Sequence, residues 1–465
     1  MKEKTCDVCV IGGGPGGYVA ALRSAKLGAK TVLIEKEHLG GTCLNVGCIP
    51  TKTLIAGTEV LETVENAATF GVKVSGKISA DWKAMQARKN DVVSKLRGGI
   101  AGLMKAYGVE VVKGNAKFIS RKTVSAAGTK IAADKFIIAS GAEPAVPGFI
   151  PKSKRVITST ELLSITTIPK SLLVLGGGVV GCEFASIFSA LGSKVTIVEM
   201  MSNILPGLDK DLAATLTKEL SEKGVEILVG KPMENIKADA KSVSGKVGTK
   251  KLSADYLLVS VGRKPVAAEL APENAGVEMD DKGFIPVDDN CATNAPGIFA
   301  VGDVTGRIQL AHMASAMGWR AAEIANGVRE KPPRFDLVPG CVFTNPEIGT
   351  VGLAEEQCEE DGLEYNVGKF AFAGLGKALA AGDTTGFCKI IADKNTDQVL
   401  GVHIVGPHAT ELIAEAATAM NLEITAKELG KAIHSHPTLA EAVMEAAHAV
   451  HGECLHAPPP RKRKK

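Results

Sequence analysis

Two groups of residues have types and spacings suited to redox and acid–base chemistry. The first is Gly40-Gly41-Thr42-Cys43-Leu44-Asn45-Val46-Gly47-Cys48-Ile49-Pro50-Thr51-Lys52. A thiol near a helix N-terminus has its thiolate stabilised by unpaired N–H groups and the positive end of the dipole. Pro50 suits the start of such a helix, where its missing N–H would be unpaired anyway. On a regular helix, five steps rise roughly 7.5 Å and end roughly 140° round the axis, whereas a disulfide wants Cα atoms about 4.4–6.8 Å apart. Pairing Cys43 with Cys48 therefore demands a bend, for which Gly47 supplies the freedom. Two buried packing cysteines are the competing reading. The second group is His434-Ser435-His436-Pro437-Thr438-Leu439-Ala440-Glu441. Pro437 holds the backbone of His436 extended, so its ring can project into a cleft with Glu441 in reach. Thr438 and Glu441 also have the spacing of a capping box, which by itself accounts for the glutamate. A histidine that only packs at a helix start is the commoner case.

Such side chains need a frame. Residues 6–11 read as a buried strand, followed by Gly12-Gly13-Gly14-Pro15-Gly16-Gly17, an Ala-rich helix over 18–27, and a strand over 31–34 closed by Glu35. Gly12, Gly14 and Gly17 form a G-x-G-x-x-G pattern in the strand–turn–helix–strand context that binds a dinucleotide. The glycines let the backbone approach a pyrophosphate seated on the helix N-terminus, and Glu35 would accept hydrogen bonds from an adenosine ribose. The unit recurs as Ser171–Leu175, Gly176-Gly177-Gly178-Val179-Val180-Gly181, a helix, Lys194–Val198 and Glu199. In both copies the acid lies 23 positions after the first glycine, 12 to 35 and 176 to 199. The repeat favours two dinucleotide sites over two tight turns without ligands. Met200, Met201, Ser202 and Asn203 follow Glu199 with no arginine for a 2′-phosphate, which favours NAD over NADP.

The remaining chain divides by texture. Residues 72–103 read as mixed strand and helix, and 136–141 as a buried strand ending at Gly141. Pro144, Pro147 and Pro151 then mark a crossing between domains, and a strand over 256–261, ending at Gly262-Arg263-Lys264-Pro265, marks the return. Residues 298–302 form a strand with Asp303 at its carboxyl end, the end where ligands gather in parallel sheets; a turn-forming Gly-Asp step is the alternative. From about Pro339, strands over 387–391 and 399–404 precede helices over 411–421 and 438–450. The expected units are 1–145, 146–270, 271–338, 339–457 and a basic, disordered tail, 458–465. His448, His451, Cys454 and His456 match no closed zinc pattern, and no metal is expected.

Composition bounds the setting. At 465 residues the chain has room for about three domains. A 45% hydrophobic content and a net charge of +3 describe a soluble globular protein without an electrostatic case for nucleic acid or membrane. No apolar run has the length of a membrane span, and the chain enters a strand pattern at once, so no targeting segment is expected. Ten cysteines are too dilute for a disulfide scaffold. Cys6, Cys9, Cys182, Cys291, Cys341, Cys358 and Cys388 read as reduced packing residues in a reducing, cytoplasmic setting. There, a disulfide at Cys43 and Cys48 is more often catalytic than structural.

Two dinucleotide turns, a Cys-x4-Cys and a late His-Pro-Thr with its glutamate together resemble the pyridine nucleotide–disulfide oxidoreductase family, over essentially the whole chain to about residue 449. Residues 293–303 resemble the family's second FAD motif, and Phe343-Thr344-Asn345-Pro346-Glu347 its interface-domain entry; Thr51 stands where Ser is usual. The chain is most similar to the branch that oxidises dihydrolipoamide. Val179 stands where glutathione reductases commonly place Tyr, and the arginine pair that binds NADP is missing. Cys454 is alone where mercuric reductases end in paired cysteines, and soluble transhydrogenases lack the redox pair. The resemblance implies an α/β fold with two Rossmann-like FAD- and NAD(P)-binding domains plus an α+β carboxyl-terminal dimerisation domain. It implies FAD at the first turn, NAD at the second, and oxidation of a dithiol on a lipoyl arm with reduction of NAD+. It gives Cys43 to the substrate, Cys48 to the flavin, and the role of base to His436, oriented by Glu441. Cofactor contacts are implied for Gly12, Gly14, Gly17, Glu35, Lys52, Gly141, Gly176, Gly178, Gly181, Glu183, Glu199, Gly262 and Asp303, with Lys52 paired to Glu183. A homodimer is implied, in which His436 of one chain serves the redox pair of the other. The implied partners are the lipoyl and subunit-binding domains of a 2-oxo acid dehydrogenase acyltransferase, with the glycine cleavage system as a further destination. A glutathione- or mercuric-reductase-like enzyme of the same fold is the alternative.

Overall fold

The strands Lys2–Ile11 and Thr31–Glu35 carry continuous apolar runs, Val8 to Ile11 and Val32 to Ile34, that are buried on both faces. Such runs belong in the middle of a parallel sheet covered on both sides. The computed structural model, which describes residues 2–458, places them there. In sheet order, Glu110–Lys113, Thr31–Glu35, Lys2–Ile11 and Thr129–Ile138 run parallel. Thr129–Ile138 then pairs along its first half with the antiparallel hairpin Lys117–Ser120 and Thr123–Ala126, and along its second half with parallel Ile298–Ala300. A strand distant in sequence thus delivers Asp303 to the carboxyl edge of the first sheet.

The second copy forms its own parallel sheet in the order Glu226–Leu228, Lys194–Val198, Ser171–Leu175, Tyr256–Val259 and Val156–Ile157. Both chain crossings are made by one antiparallel ribbon, Ala142–Pro144 against Arg263–Pro265. A three-stranded antiparallel sheet, Glu234–Ala238, Val243–Val247 and Lys250–Ala254, for which the sequence carried no expectation, is attached to this unit.

From Gly340 the chain forms a five-stranded antiparallel sheet in the order Gly340–Val342, Glu347–Gly352, Val399–Gly406, Phe387–Asp393 and Tyr365–Ala371. The helix Glu441–Val450 lies directly on its last strand: a Cβ at Gly368 would stand 2.0 Å from the Ala446 carbonyl oxygen.

Three expectations are corrected. Residues 72–103, expected as mixed strand and helix, contain no strand: 72–78, where apolar residues alternate, are an exposed loop ahead of a 25-residue helix, Trp82–Ala106. Alternation in sequence has no effect where no strand edge is in reach. The last helix begins at Glu441, not 438, and the capping box does not close. The Thr438 hydroxyl donates to the Ser435 carbonyl, while its N–H donates to Glu441 Oε2, so a turn occupies the place of the expected first helical turn. The strand expected over 256–261 stops at Val259, where the Ser260 hydroxyl turns back to the Leu175 and Gly176 carbonyls. The tail expected over 458–465 lies almost wholly outside the described residues. Among those described, no helix is long and apolar enough to cross a membrane.

Candidate active site

The redox segment is two helices, Gly41–Val46 and Cys48–Glu65, meeting at Gly47. A Cβ at Gly47 would stand 2.9 Å from the Thr42 carbonyl oxygen and 3.2 Å from the Cys43 Cα. Only glycine lets the two short turns fold this closely, and the bend that pairing demands is therefore at Gly47. Asn45 fixes the first turn from both sides. Its amide donates to the Leu39 and Gly41 carbonyls, and its oxygen accepts from Arg97 of the long helix. Thr51 closes the second turn through a 2.7 Å bond to the Gly47 carbonyl.

Cys43 and Cys48 are half-buried free cysteines near enough to shift each other's ionisation in opposite directions. The Cys43 thiol lowers Cys48 to about 7, against burial, with help from the Lys52 ammonium. Cys43 is pushed well up by the neighbouring Cys48 sulfur and by burial. The Lys52 ammonium sits 2.8 and 2.9 Å from the two oxygens of buried Glu183 and 4.4 Å over the Phe343 ring. Glu183 Oε1 also accepts from the Phe343 N–H at 3.1 Å. This pair ties the redox helix to the helix Val179–Ala190 of the second unit and to the entry of the antiparallel sheet. Leu54 and Ile55 of the redox helix share one apolar core with Phe184 and Phe188.

The two glycine turns are built alike. Glu35 accepts from the N–H groups of Gly13 and Glu37 at 2.6 and 2.7 Å, and Glu199 from those of Gly177 and Met201 at 2.7 and 2.8 Å. Each carboxylate thus clamps its own turn before meeting any ligand. A Cβ at Gly17 would fall 1.8 Å from the Gly12 carbonyl oxygen, and one at Gly181 2.0 Å from that of Gly176, so these two glycines seat the helix against the turn. Gly14 and Gly178 are the N-caps of Pro15–Lys26 and Val179–Ala190 and offer no capping side chain; their N-terminal N–H groups are left for an anion.

A cavity of about 770 Å3 runs from the first turn to the cysteines, lined by Gly12, Gly14, Glu35, Cys43, Cys48, Lys52, Gly141, Glu183 and Asp303. It brings together most of the positions expected on one ligand. Gly17, Gly176, Gly178, Gly181, Glu199 and Gly262 lie outside it, the last five on the second unit or its return crossing. Val179, Val180 and Phe184 close the cavity from the second unit, opposite the redox pair's segment. Ser140 also lines it, with a buried hydroxyl lacking any partner among the described residues. An elongated cavity with a glycine cradle at one end, an orphaned hydroxyl and a dithiol at the other fits FAD. Burial raises the Asp303 carboxyl, with Arg263 opposing at 3.4 Å. His312 and the stretch 114–116 also line this cavity without having been singled out from sequence, and so do Arg263 and Phe343, which the sequence marked only as part of the return crossing and of the interface-domain entry.

His436 is placed differently. Its Nδ1 lies 2.8 Å from Glu441 Oε1, while Glu441 Oε2 accepts from the Thr438 N–H at 2.9 Å. Glu441 is held below its ordinary value: burial opposes this, and the Thr438 amide and His436 ring outweigh it. The pair is oriented as a base and its support, yet the His436 side chain is 76% exposed and does not line the cavity of its own chain. His456 and Cys454, expected to hold no metal, both bond to Glu445.

Residues 6–318 match the model of the pyridine nucleotide–disulphide oxidoreductases, and residues 338–447 that of the same family's dimerisation domain. The chain belongs to this family. Its cofactors are FAD and NAD. The chain is 43% identical over 462 residues to a dihydrolipoyl dehydrogenase of Thermus scotoductus, covering 97% of this chain and 99% of that one. A dihydrolipoyl dehydrogenase of Bacillus subtilis is 42% identical over 458 residues, covering 97% and 100%. Among solved structures, LpdA from Mycobacterium tuberculosis superposes with a TM-score of 0.88 at 28% identity, over 96% of this chain and 99% of that one. The HOCl-induced flavoprotein disulfide reductase RclA from Escherichia coli gives 0.85 at 33%, over 94% and 98%.

Proposed function

We propose that the chain oxidises dihydrolipoamide to lipoamide and reduces NAD+ to NADH, through Cys43 and Cys48 cycling between disulfide and dithiol. The observation that carries this reading is the cysteine pair at the wall of the cavity that begins at the first glycine turn, with the second unit's helix closing the same cavity. FAD held at the first glycine turn would supply a two-electron relay between the Cys43–Cys48 dithiol and NAD+.

The protein's residues do the rest. His436 of the partner subunit removes a proton from the substrate thiol, and Glu441 stabilises the imidazolium that results. The substrate thiolate attacks Cys43, and the S–S bond breaks with Cys48 leaving as thiolate. Cys48 is the better leaving group because it opens the helix Cys48–Glu65, whose N-terminus favours its thiolate, and has the Lys52 ammonium one turn on. The second substrate thiol then displaces Cys43, releasing the cyclic disulfide and leaving Cys43 and Cys48 reduced. Lys52 stabilises the Cys48 thiolate, and Glu183 holds Lys52 in place. Gly12, Gly14, Glu35, Gly141 and Asp303 would hold FAD, with Gly17 seating the helix behind the turn; Gly176, Gly178, Glu199 and Gly262 would hold NAD, with Gly181 in the same seating role.

The exposed His436–Glu441 pair supports a homodimer in which each site takes its base from the other chain. The match to a dimerisation domain over 338–447 supports the same reading. The lipoyl and subunit-binding domains of a 2-oxo acid dehydrogenase acyltransferase are the proposed partners, with the glycine cleavage system as a further destination and the cytoplasm as the compartment. A steady-state comparison tests the activity. Dihydrolipoamide with NAD+ should turn over, and oxidised glutathione with NADPH should not; the reverse preference would replace this reading with the glutathione-reductase-like one.

A further inference from the structure

Away from the redox pair, one lysine is buried among three carboxylates. Lys389, on the strand Phe387–Asp393, is 3% exposed. Its ammonium lies 2.9 Å from both oxygens of Asp209, 2.8 Å from Asp211 and 2.7 Å from Glu355. Glu355 comes from the dimerisation region, but Asp209 and Asp211 stand at the start of the helix Lys210–Glu222, in the unit with the second glycine turn. Asp209 is fully buried and caps that helix by accepting from the Asp211 N–H. His403, the cross-strand neighbour of Lys389, is also buried and held by Thr350 and the Leu353 carbonyl.

What Asp209 terminates gives the cluster its meaning. Residues 199–209 form a loop that grips Gly177 at both ends of its backbone. Glu199 accepts the Gly177 N–H at 2.7 Å, and the Leu205 N–H donates to the Gly177 carbonyl at 2.8 Å. Leu205 is buried and takes a left-handed φ of 51°, a conformation a leucine holds only under constraint from both sides. One constraint is Gly177; the other is Asp209, four residues on, fixed to Lys389. A buried ion pair is a weak source of net stability but a strong fixer of geometry when its hydrogen bonds are complete.

We propose that Lys389 is a positioning residue for NAD: from the dimerisation region it anchors Asp209, and through the 199–209 loop it holds Gly177 and Glu199 in the shape that receives the dinucleotide. This rests on the reading of the second glycine turn as the NAD site. Asp209→Asn keeps the shape and one acceptor oxygen for the Asp211 N–H, but it removes the charge and turns the second acceptor facing the Lys389 ammonium into a donor; Lys389→Met removes the anchor outright. Trp82 and Lys89, which bond to the carbonyls of Ile165 and Leu163, continue to hold this unit from the other side.

The test uses FAD-loaded dimers and three readouts: the Kd for NAD+ by calorimetry, amide exchange over 199–209, and flavin bleaching by dihydrolipoamide without NAD+. The proposal predicts that the Kd rises about tenfold, within the usual range for coupling between sites. It also predicts faster exchange at Leu205, with the bleaching rate unchanged. Should Lys389→Met fail to fold, Asp209→Asn decides. Wild-type enzyme that binds no NAD+ overturns the underlying reading. Wild-type binding with unchanged Kd and exchange in the variants overturns the proposal alone, as does an equal loss of both half-reactions.

Discussion

Replacing Lys52 with Met removes the cation that stands one helical turn beyond Cys48. Side chains four residues apart on a helix are about 5–6 Å apart at Cβ. At about 6 Å and an effective dielectric of about 20, a cation and a thiolate attract by roughly 2.8 kcal/mol. Lys52 is 29% exposed, and screening by water brings this to about 1.4 kcal/mol, a tenfold fall in the thiolate-to-thiol ratio at neutral pH. The sign follows from the charged form being the deprotonated one: with the cation gone, Cys48 ionises at higher pH, upward from about 7. Glu183, left with the Phe343 N–H, pushes the same way. Lys52→Met/Glu183→Gln should therefore recover part of the shift. The assay is the ultraviolet thiolate absorbance of the reduced enzyme, titrated across neutral pH against an alkylated control. A midpoint that stays put, or moves down, would refute the role given to Lys52.

Cys43→Ser should abolish dithiol oxidation while flavin content, read from visible absorbance per chain, stays at the wild-type level. His436→Gln should lower turnover about a hundredfold or more, most at acidic to neutral pH, where the substrate thiol most needs a base; a flat pH–rate comparison with wild type would remove it from the mechanism. Gly17→Ala drives a Cβ to 1.8 Å from the Gly12 carbonyl, and the displaced helix should cost the protein its flavin, measured after purification without added FAD.

The legible parts of this chain were those whose physics is local. Gly12-x-Gly14-x-x-Gly17 and its copy state their turn, their helix and the terminal acid within a few dozen residues, and the structure adds that Glu35 and Glu199 clamp the turns themselves. The bend at Gly47 was legible because helix geometry forbids pairing without it. Less legible was anything decided at a distance. Lys389 and Asp209 are 180 residues apart, and nothing near either announces the other. Residues 72–78 alternate like a strand but have no edge to join. The Thr438-to-Glu441 spacing is that of a cap, yet the Thr438 hydroxyl is taken by Ser435, so the helix waits until Glu441. For His436, the sequence supplied the residue and its glutamate but not the surface it faces.

The two-chain site is the claim on which the account turns, and mixed dimers test it most directly. A dimer of one Cys43→Ser chain and one His436→Gln chain has one site with both defects and one with neither, if each redox pair takes its base from the other subunit. Isolated by differential tags, this mixed dimer should recover activity equal to one wild-type site, although the Cys43→Ser homodimer is inactive and the His436→Gln homodimer is slower than wild type by about a hundredfold or more. A mixed dimer no more active than its parents would place Cys43 and His436 in the same chain's site and contradict the account.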